Sequence, residues 1–197
     1  MGNAIFVMEA TDPATLKVGT LPALKTSGYN DRDSAGIGTY NSVIGGFDGT
    51  TSNLTIPDST DWDFGTYPFS IEKRVWLAPG QKEDYNIGLI HSRSSGTSGW
   101  ELSQNDLSNP IKWYDSGEGT EVTNYQHDFH GRWSYVVISK EGDGANEFKL
   151  YVDGVVRQTA THDAAVNGTD TLTIGRGHAD TAVVHWQGFM DQIMIYK

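Results

Sequence analysis

The last third of the chain contains four short stretches that decide its fold: GRWSYVVISKEG (131–142), FKLYVDGVVRQTAT (148–161), LTIGRG (172–177) and WQGFMDQIMIYK (186–197). They alternate apolar and polar residues with a period of two, which is typical of β-strands. The dipeptide Asp153-Gly154 lies between two alternating runs. It predicts a type I′ hairpin turn, because that turn needs positive φ at both central positions. These stretches therefore predict antiparallel strands joined by tight turns.

Two of these stretches also carry information about burial. Residues 133–140 place apolar side chains on both alternating faces, which predicts a central strand covered on both sides. In the last stretch we expect Phe189, Ile193 and Ile195 on one face, with Asp191 standing among them. An ionised carboxylate in an apolar strand needs backbone N–H donors or a metal ion, so Asp191 is a candidate for either.

The same pattern extends toward the N-terminus. In FSIEKRVWL (69–77) the odd-numbered residues are apolar except Lys73, and they alternate with polar or amphipathic ones. From residue 41 onward, strand-like segments follow one another at intervals of about 8–12 residues. This spacing predicts an all-β domain over residues 41–197, a two-sheet antiparallel jelly-roll β-sandwich. Residues 1–40 are predicted to be either additional strands of the sandwich or an N-terminal arm that pairs with a neighbouring chain.

Composition excludes several classes of function. The net charge of −11 and the lack of a basic patch argue against nucleic-acid binding, because phosphate contacts need clustered Lys and Arg. No apolar stretch reaches membrane-spanning length, so we expect no membrane insertion. The chain has no cysteine, which excludes disulfides and thiolate metal sites. The N-terminus lacks the basic and apolar regions of a cleaved signal peptide.

Six blocks of sequence, taken in order, resemble one family. They are FDGTTSNLTIP (47–57), FSIE (69–72), GRW (131–133), LYVDG (150–154), LTIG (172–175) and the stretch from Gly188 to Tyr196. Together they resemble the laminin G-like branch of the concanavalin A-like lectin/glucanase sandwiches. The resemblance implies two antiparallel sheets of about six or seven strands, one of them concave, with binding loops along the rim. Members bind sugars, proteins or calcium, and others are hydrolases, so the fold does not select a function.

A hydrolase on this sandwich would carry its catalytic carboxylates at alternate positions of one strand. The resemblance implies a Glu-x-Asp-x-Glu run, whose side chains share the cleft as acid and nucleophile. No such run occurs in this sequence. The nearest carboxylates, Asp115, Glu118 and Glu121, lie in a Gly-rich loop at a different spacing. We therefore predict no catalytic residues and no enzymatic activity, and a glycoside hydrolase is the third alternative.

Candidate ligand-binding residues lie on the polar side of residues 69–77. Glu72, Arg74 and Trp76 point from one face, where Trp76 could stack on a sugar ring while the other two hydrogen-bond its hydroxyls. The residues expected nearby are Trp100, Trp113 and Tyr114. In the alternative interpretation, Trp76 and its neighbours fill the space between the sheet and the loops.

Calcium is the metal that the sequence best accommodates, as a structural ion. Asp191 would be one ligand and Asp48, close to the turn of the opening strand, a second, although calcium takes about six to eight oxygens. In the alternative interpretation, hydrogen bonds at a turn satisfy Asp191. No cofactor is required for the predicted function, and calcium is the candidate structural ion.

These observations predict a non-enzymatic structural or adhesion module. A self-contained sandwich without a signal peptide is expected to be made in a host cytoplasm and to act in a virion, as a phage capsid decoration or tail/fibre protein. Its partners would be other virion or surface proteins through residues 1–40, a host-surface glycan, or further copies in a homo-oligomer. The alternative is a free carbohydrate-binding, lectin-like module of a secreted, extracellular system.

Overall fold

The alternating segments form strands that are joined in two antiparallel sheets. The computed structural model describes residues 4–8, 43–81, 87–95, 98–104, 110–116, 123–178 and 185–197. Within these ranges the first sheet has seven strands and the second has six, which confirms the predicted two-sheet sandwich. No helix in the described part of the chain is both long and apolar enough to cross a membrane.

The strands are numbered in chain order. They are β1 (Ala4–Met8), β2 (Val43–Asp48), β3 (Leu54–Ile56), β4 (Phe69–Leu77), β5 (Ile87–Ser95), β6 (Ser98–Gln104), β7 (Pro110–Asp115), β8 (Tyr125–Gln126), β9 (Trp133–Lys140), β10 (Phe148–Val152), β11 (Val155–Ala160), β12 (Leu172–Ile174) and β13 (Gln187–Tyr196). A turn of 3-10 helix, Thr60–Trp62, lies between β3 and β4. The first sheet has the order β1-β13-β4-β9-β10-β11, with β2 also on β13, and the second has the order β3-β12-β5-β6-β7-β8.

Two N-terminal strands share one edge of β13. Strand β1 pairs with residues 193–196 and β2 pairs with residues 187–191, while β4 occupies the other edge. Of the segment predicted as an arm or additional strands (1–40), the structure describes Ala4–Met8, whose backbone extends the first sheet. The rest of that segment lies outside the described residues.

Strand β4 shows how alternation separates core from surface. Its odd-numbered residues are buried between the sheets, and its even-numbered residues are half-buried on the outer side. Lys73 is fully buried with the apolar set, and its Nζ atom has no hydrogen-bond partner among the described residues. Burial lowers the pKa of Lys73 well below its usual range, which favours the uncharged amine inside the core.

The hairpin between β10 and β11 has the predicted turn. Asp153 and Gly154 have φ values of 54° and 76°, as a type I′ turn requires. The Asp153 carboxylate accepts a hydrogen bond from the Tyr135 backbone amide at 2.8 Å, and the Asp153 amide donates to the Tyr135 carbonyl, also at 2.8 Å. The turn thus fixes the start of β9. This strand lies between β4 and β10, as predicted for a central strand, but its outer face is only half-buried.

A β-bulge in β13 changes which residues share a face. Here β13 has one more residue than the stretch of β4 with which it pairs. Gln192 has a φ of 49°, and the extra residue reverses the alternation that follows. Ile193 and Ile195 therefore enter the core, whereas Phe189 lies on the outer side of the sheet. The prediction that these three residues share one face is wrong, because periodicity alone does not reveal an inserted residue.

The core between the sheets is rich in aromatic rings. Trp100 and Trp113 of the second sheet stack with their centroids 5.4 Å apart, and Phe69 of the first sheet lies 5.6 Å from Trp113. Phe64 and Phe148 extend this cluster. All five rings are buried, and burying a side chain of this size stabilises the folded state by about 2 kcal/mol. The cluster therefore holds the two sheets together.

Candidate functional site

The outer side of the first sheet carries a row of aromatic rings. Cross-strand pairing aligns Phe189 of β13 with Trp76 of β4 and Trp133 of β9. The Trp76 and Phe189 centroids are 5.4 Å apart, and those of Trp133 and Phe189 are 6.4 Å apart. All three rings are half-buried, so part of each remains accessible. We call this row the aromatic face, together with four polar residues beside it: Glu72, Arg74, Tyr135 and Asp191.

Arg74 and Asp191 form the next row of the aromatic face. Arg74 Nη1 lies 3.9 Å from Asp191 Oδ2, and the guanidinium carbon lies 4.8 Å from the centre of the Trp133 ring. The Arg74 side chain is 37% exposed, whereas that of Asp191 is 1% exposed. Asp191 is therefore buried as predicted, but it faces a cation on the outer side of the sheet instead of apolar core residues. The guanidinium is held between a ring and a carboxylate and keeps part of its surface toward solvent.

Glu72 and Tyr135 are joined on the same face. The Tyr135 hydroxyl donates a short hydrogen bond to Glu72 Oε2. Partial burial, followed by the Glu72 carboxylate, raises the pKa of Tyr135, so the hydroxyl stays protonated and remains a donor. The aromatic face thus combines accessible rings with a carboxylate acceptor and a guanidinium donor. This is the chemistry that recognises the C–H faces and the hydroxyls of sugars.

The six predicted ligand-binding residues are divided among three places. The three on β4 share the aromatic face. Trp100 and Trp113 are fully buried in the core, so their rings offer no surface to a ligand and their prediction as ligand contacts is wrong. Tyr114 lies on the outer side of the second sheet, away from the β4 residues, because it alternates with the buried Trp113. Alternation shows that neighbouring residues face opposite ways, but it does not show which way is inward.

The two predicted calcium ligands lie at different points along β13. Asp48 pairs with Gln187 and Val43 pairs with Asp191, so four residues, or about 13 Å, separate the two positions. The Asp48 Oδ1 atom accepts hydrogen bonds from the amides of residues 50, 51 and 52 at 2.8 to 2.9 Å, which lower the pKa of its carboxyl. The two carboxylates therefore do not form a shared site. Among the described residues, no group of three or more His, Asp or Glu side chains is arranged to hold a metal ion.

Asp115 has a structural environment. It is the last residue of β7 and is fully buried, and not part of the Gly-rich loop in which the sequence analysis placed it. Its Oδ2 atom accepts a hydrogen bond from the Trp113 indole at 3.0 Å and lies 2.5 Å from Nε2 of the buried His162. Glu118 and Glu121 lie outside the described residues. Asp115 therefore belongs to a hydrogen-bonded network inside the sandwich.

The outer side of the second sheet carries a polar site that the sequence analysis missed. Pairing places His91 of β5 beside Glu101 of β6. Arg93 Nη1 lies 3.1 Å from Glu101 Oε2, and its guanidinium carbon lies 3.9 Å from the centre of the Tyr114 ring. The His178 amide donates to Glu101 Oε1 at 3.4 Å, and the His178 ring lies 6.2 Å from the His91 ring. We give the name histidine–arginine cluster to these four residues and to Arg176, which lies in the same loop after β12 as His178. The cluster thus consists of His91, Arg93, Glu101, Arg176 and His178.

Two glycines allow the loop after β12 to reach this surface. A Cβ atom on Gly88 of β5 would lie 1.9 Å from the Arg176 carbonyl oxygen, so the backbone at 176–177 rests directly on the strand. Gly175 has a φ of 80°, a left-handed conformation that other residues rarely adopt. The loop therefore brings Arg176 and His178 to the surface that contains His91.

Burial sets the protonation states in the cluster. Desolvation, with further contributions from His178 and Arg176, lowers the pKa of His91 to about 4. Desolvation raises the pKa of Glu101, an effect that Arg93 opposes. At neutral pH the His91 ring is uncharged and has one donor and one acceptor nitrogen. In the sequence, the signal for this cluster is the spacing of His91 and Arg93 two residues apart, which puts both on one face of a strand.

The family assignment follows from the sequence and agrees with this architecture. A family model described as the concanavalin A-like lectin/glucanases superfamily, of laminin G type, matches residues 48–197. The chain belongs to this superfamily. A comparison with curated proteins gives no match.

Several solved structures share the fold at low sequence identity. Domain 4 of AbnA, a GH43 extracellular arabinanase from Geobacillus stearothermophilus solved in complex with arabinotriose, is 18% identical with a TM-score of 0.54, and the match covers 81% of this chain and 72% of that domain. Mouse laminin alpha1 domains LG4-5 are 16% identical with a TM-score of 0.56 (79% and 42% covered). Botulinum neurotoxin type C, whose cell entry depends on interaction with two ganglioside molecules, is 17% identical with a TM-score of 0.53 (76% and 38% covered). The chain thus spans less than half of the laminin and neurotoxin chains.

Proposed function

We propose that this protein is a non-catalytic adhesion module that binds glycans on the aromatic face. The observation that carries this proposal is the row formed by Phe189, Trp76 and Trp133, with Arg74 and Glu72 beside it. Half-buried rings in a row suit the C–H face of a sugar, because they are already ordered and lose little conformational freedom on binding. Arg74 and Glu72 supply the donor and the acceptor that fix the orientation of the hydroxyls.

Two similar structures support a glycan as the ligand class. The AbnA domain was solved with arabinotriose, and the neurotoxin interacts with gangliosides. Each contains a region with a similar fold, although fold similarity alone does not transfer a ligand. The accessible rings of this chain supply the independent argument, because they are the chemical feature that such ligands require.

The test compares matched variants of exposed aromatic residues. Trp76→Ala should weaken binding to a glycan-array hit by about tenfold, since one stacking ring contributes about 1.4 kcal/mol, while Trp76→Phe should retain most of the affinity. Tyr67→Ala is the control, because Tyr67 is 68% exposed and lies outside the aromatic face. An array on which the wild type binds no glycan, or a Trp76→Ala variant with unchanged affinity, would contradict the proposal.

The prediction that the protein has no hydrolase activity needs a separate measurement. The superfamily also contains hydrolases, and a sialidase from Trypanosoma rangeli shares the fold with a TM-score of 0.54. The chain lacks the alternating carboxylate run, so we expect no release of reducing ends from any oligosaccharide that binds. Turnover proportional to protein concentration would show that the module is an enzyme.

We propose a virion as the setting for this adhesion, with a secreted extracellular system as the alternative. The observation that favours contact with neighbouring subunits is β11, which ends the first sheet in the described part of the chain. Its residues Val155 and Val156 are 50% and 46% exposed, and an edge strand that carries exposed apolar side chains suits pairing with another chain. Detection of the protein by mass spectrometry in purified phage particles would support this setting. Its presence only in a secreted fraction would favour the alternative.

A further inference from the structure

The histidine–arginine cluster contains buried polar atoms that have no hydrogen-bond partner in the described part of the chain. His91 is 7% exposed, and neither of its ring nitrogens has a hydrogen-bond partner among the described residues. The Nε atom of Arg176 is likewise buried without an acceptor in the described part of the chain. A buried donor without a partner costs about 1–3 kcal/mol. The Arg176 Nε–H and the N–H of the His91 ring are therefore buried donors for which the described part of the chain supplies no acceptor.

The charges of the cluster point to the kind of acceptor. Arg93 is matched by Glu101 at 3.1 Å, and both side chains are largely buried. Among the described residues no ion pair involves Arg176, so that part of the chain supplies no carboxylate partner for its guanidinium. This positive site lies in a protein of net charge −11, so it is a local exception to the charge of the whole chain. An anion would supply both the acceptor and the missing charge.

Two glycines determine where the backbone places Arg176 on this surface. Gly88 permits the close approach of residues 176–177 to β5, and Gly175 supplies the left-handed turn that precedes them. On the opposite side, the Tyr114 ring supports the Arg93 guanidinium at 3.9 Å. The donors are thus held by strands and a constrained turn, which is the pre-organisation that a binding site needs.

We propose that the histidine–arginine cluster binds the oxyanion group of an acidic sugar, with Arg176 as the principal donor and His91 as the second. This site lies on the second sheet and goes beyond the proposed function, which concerns the aromatic face of the first. A carboxylate and a sulfate present the same acceptor oxygens, and both are strong partners of a guanidinium. The charged group enters the cluster, and the neutral remainder of the sugar stays outside it.

The first experiment titrates the wild-type protein with glucuronate, N-acetylneuraminate, glucose 6-sulfate and glucose, and follows the His91 ring signals by NMR. Each charged sugar that binds should shift the His91 signals, and glucose should not. Binding of the two carboxylates alone would identify a carboxylate site, binding of the sulfate alone a sulfate site, and binding of all three a general oxyanion site. If no charged sugar shifts His91, the proposal is wrong.

The second experiment uses variants of Arg176 and a control variant. Arg176→Gln should weaken binding of the charged sugar by at least about tenfold, as expected for loss of a charge-assisted hydrogen bond. Arg176→Lys keeps the charge without the Nε donor, so it should retain part of the affinity. Tyr67→Ala should leave this binding unchanged, because Tyr67 is 68% exposed and lies outside both the cluster and the aromatic face. Unchanged affinity in both Arg176 variants would overturn the proposal.

Discussion

The outer faces of the two sheets are built by the same alternation of residues, but they differ in what they leave unsatisfied. On the aromatic face, Arg74 lies opposite Asp191 and the Tyr135 hydroxyl is bonded to Glu72, so the accessible surface consists mainly of rings. On the second sheet, Glu101 matches Arg93, but Arg176 has no carboxylate partner among the residues that the structure describes. The difference underlies the two proposals, because rings beside paired polar groups suit the C–H face of a sugar, whereas donors without a described partner suit an anion.

The largest expected effect on stability concerns Glu101 on the second sheet, compared with Glu72 on the aromatic face. Glu101→Gln should lower the free energy of unfolding by about 3 kcal/mol, because it removes the counter-charge of an almost buried arginine. Glu72→Gln changes a half-buried residue whose hydrogen bond an amide can still accept, so the loss should stay below about 1 kcal/mol. Urea unfolding of both variants measures the contrast. Equal losses would show that the two faces do not differ in how their charges are balanced.

A second prediction concerns pH and the burial of His91. Its pKa in the folded state, about 4, lies below the ordinary value of 6.5, so the unfolded chain binds the proton more readily. This contribution to stability is complete above pH 6.5 and is lost as the pH falls toward 4. At pH 5 the titration of His91 should lower the free energy of unfolding by about 2 kcal/mol relative to neutral pH.

His91→Asn is the matched variant for that prediction, since the amide is polar and does not titrate in this range. Unfolding in urea at several pH values between 4 and 7 should show a flatter profile for His91→Asn than for the wild type. The aromatic-face variant Trp76→Ala should keep the wild-type slope. Parallel profiles for His91→Asn and the wild type would mean that His91 is accessible to protons in the folded state.

The smallest effect is expected for the hydroxyl of Tyr135. Tyr135→Phe removes the hydrogen bond to Glu72 but keeps the ring, so the free energy of unfolding should fall by about 1 kcal/mol or less. Glycan affinity should change less than in Trp76→Ala, because no stacking ring is lost. Calorimetric binding and urea unfolding give both values. A loss of unfolding free energy as large as that of Glu101→Gln would show that polar contacts, and not the packing of rings, stabilise the aromatic face.

Local signals predicted the fold well, and the reason is visible in particular residues. The alternation in β4 and the dipeptide Asp153-Gly154 each act within a few residues, so the sequence contains the whole cause. The three β4 candidates were placed on one face by the same logic. The sequence did not predict the bulge at Gln192. A positive φ at glutamine results from pairing with neighbouring strands, and it does not change the apolar–polar periodicity of the sequence.

The second site could not be predicted, because its parts come together only in three dimensions. Arg176 follows a short strand near the end of the sequence, and its approach to His91 depends on the space left by Gly88 on a different strand. The prediction that Trp100 and Trp113 contact a ligand failed for a related reason. Their strands are covered by the opposite sheet on one side, and a single strand does not show which side that is.

The position of β13 has a consequence for how the protein is made. Strands β1 and β2 emerge from the ribosome long before β13, yet β13 is the strand on which both of them pair. Strands β4, β9, β10 and β11 can join one another while translation continues, but the two N-terminal strands must wait for residues 187–196. Their backbone edges stay open until residues 187–196 have been made, and unpaired edges are prone to pair wrongly during synthesis. Closure of this sandwich therefore depends on β13.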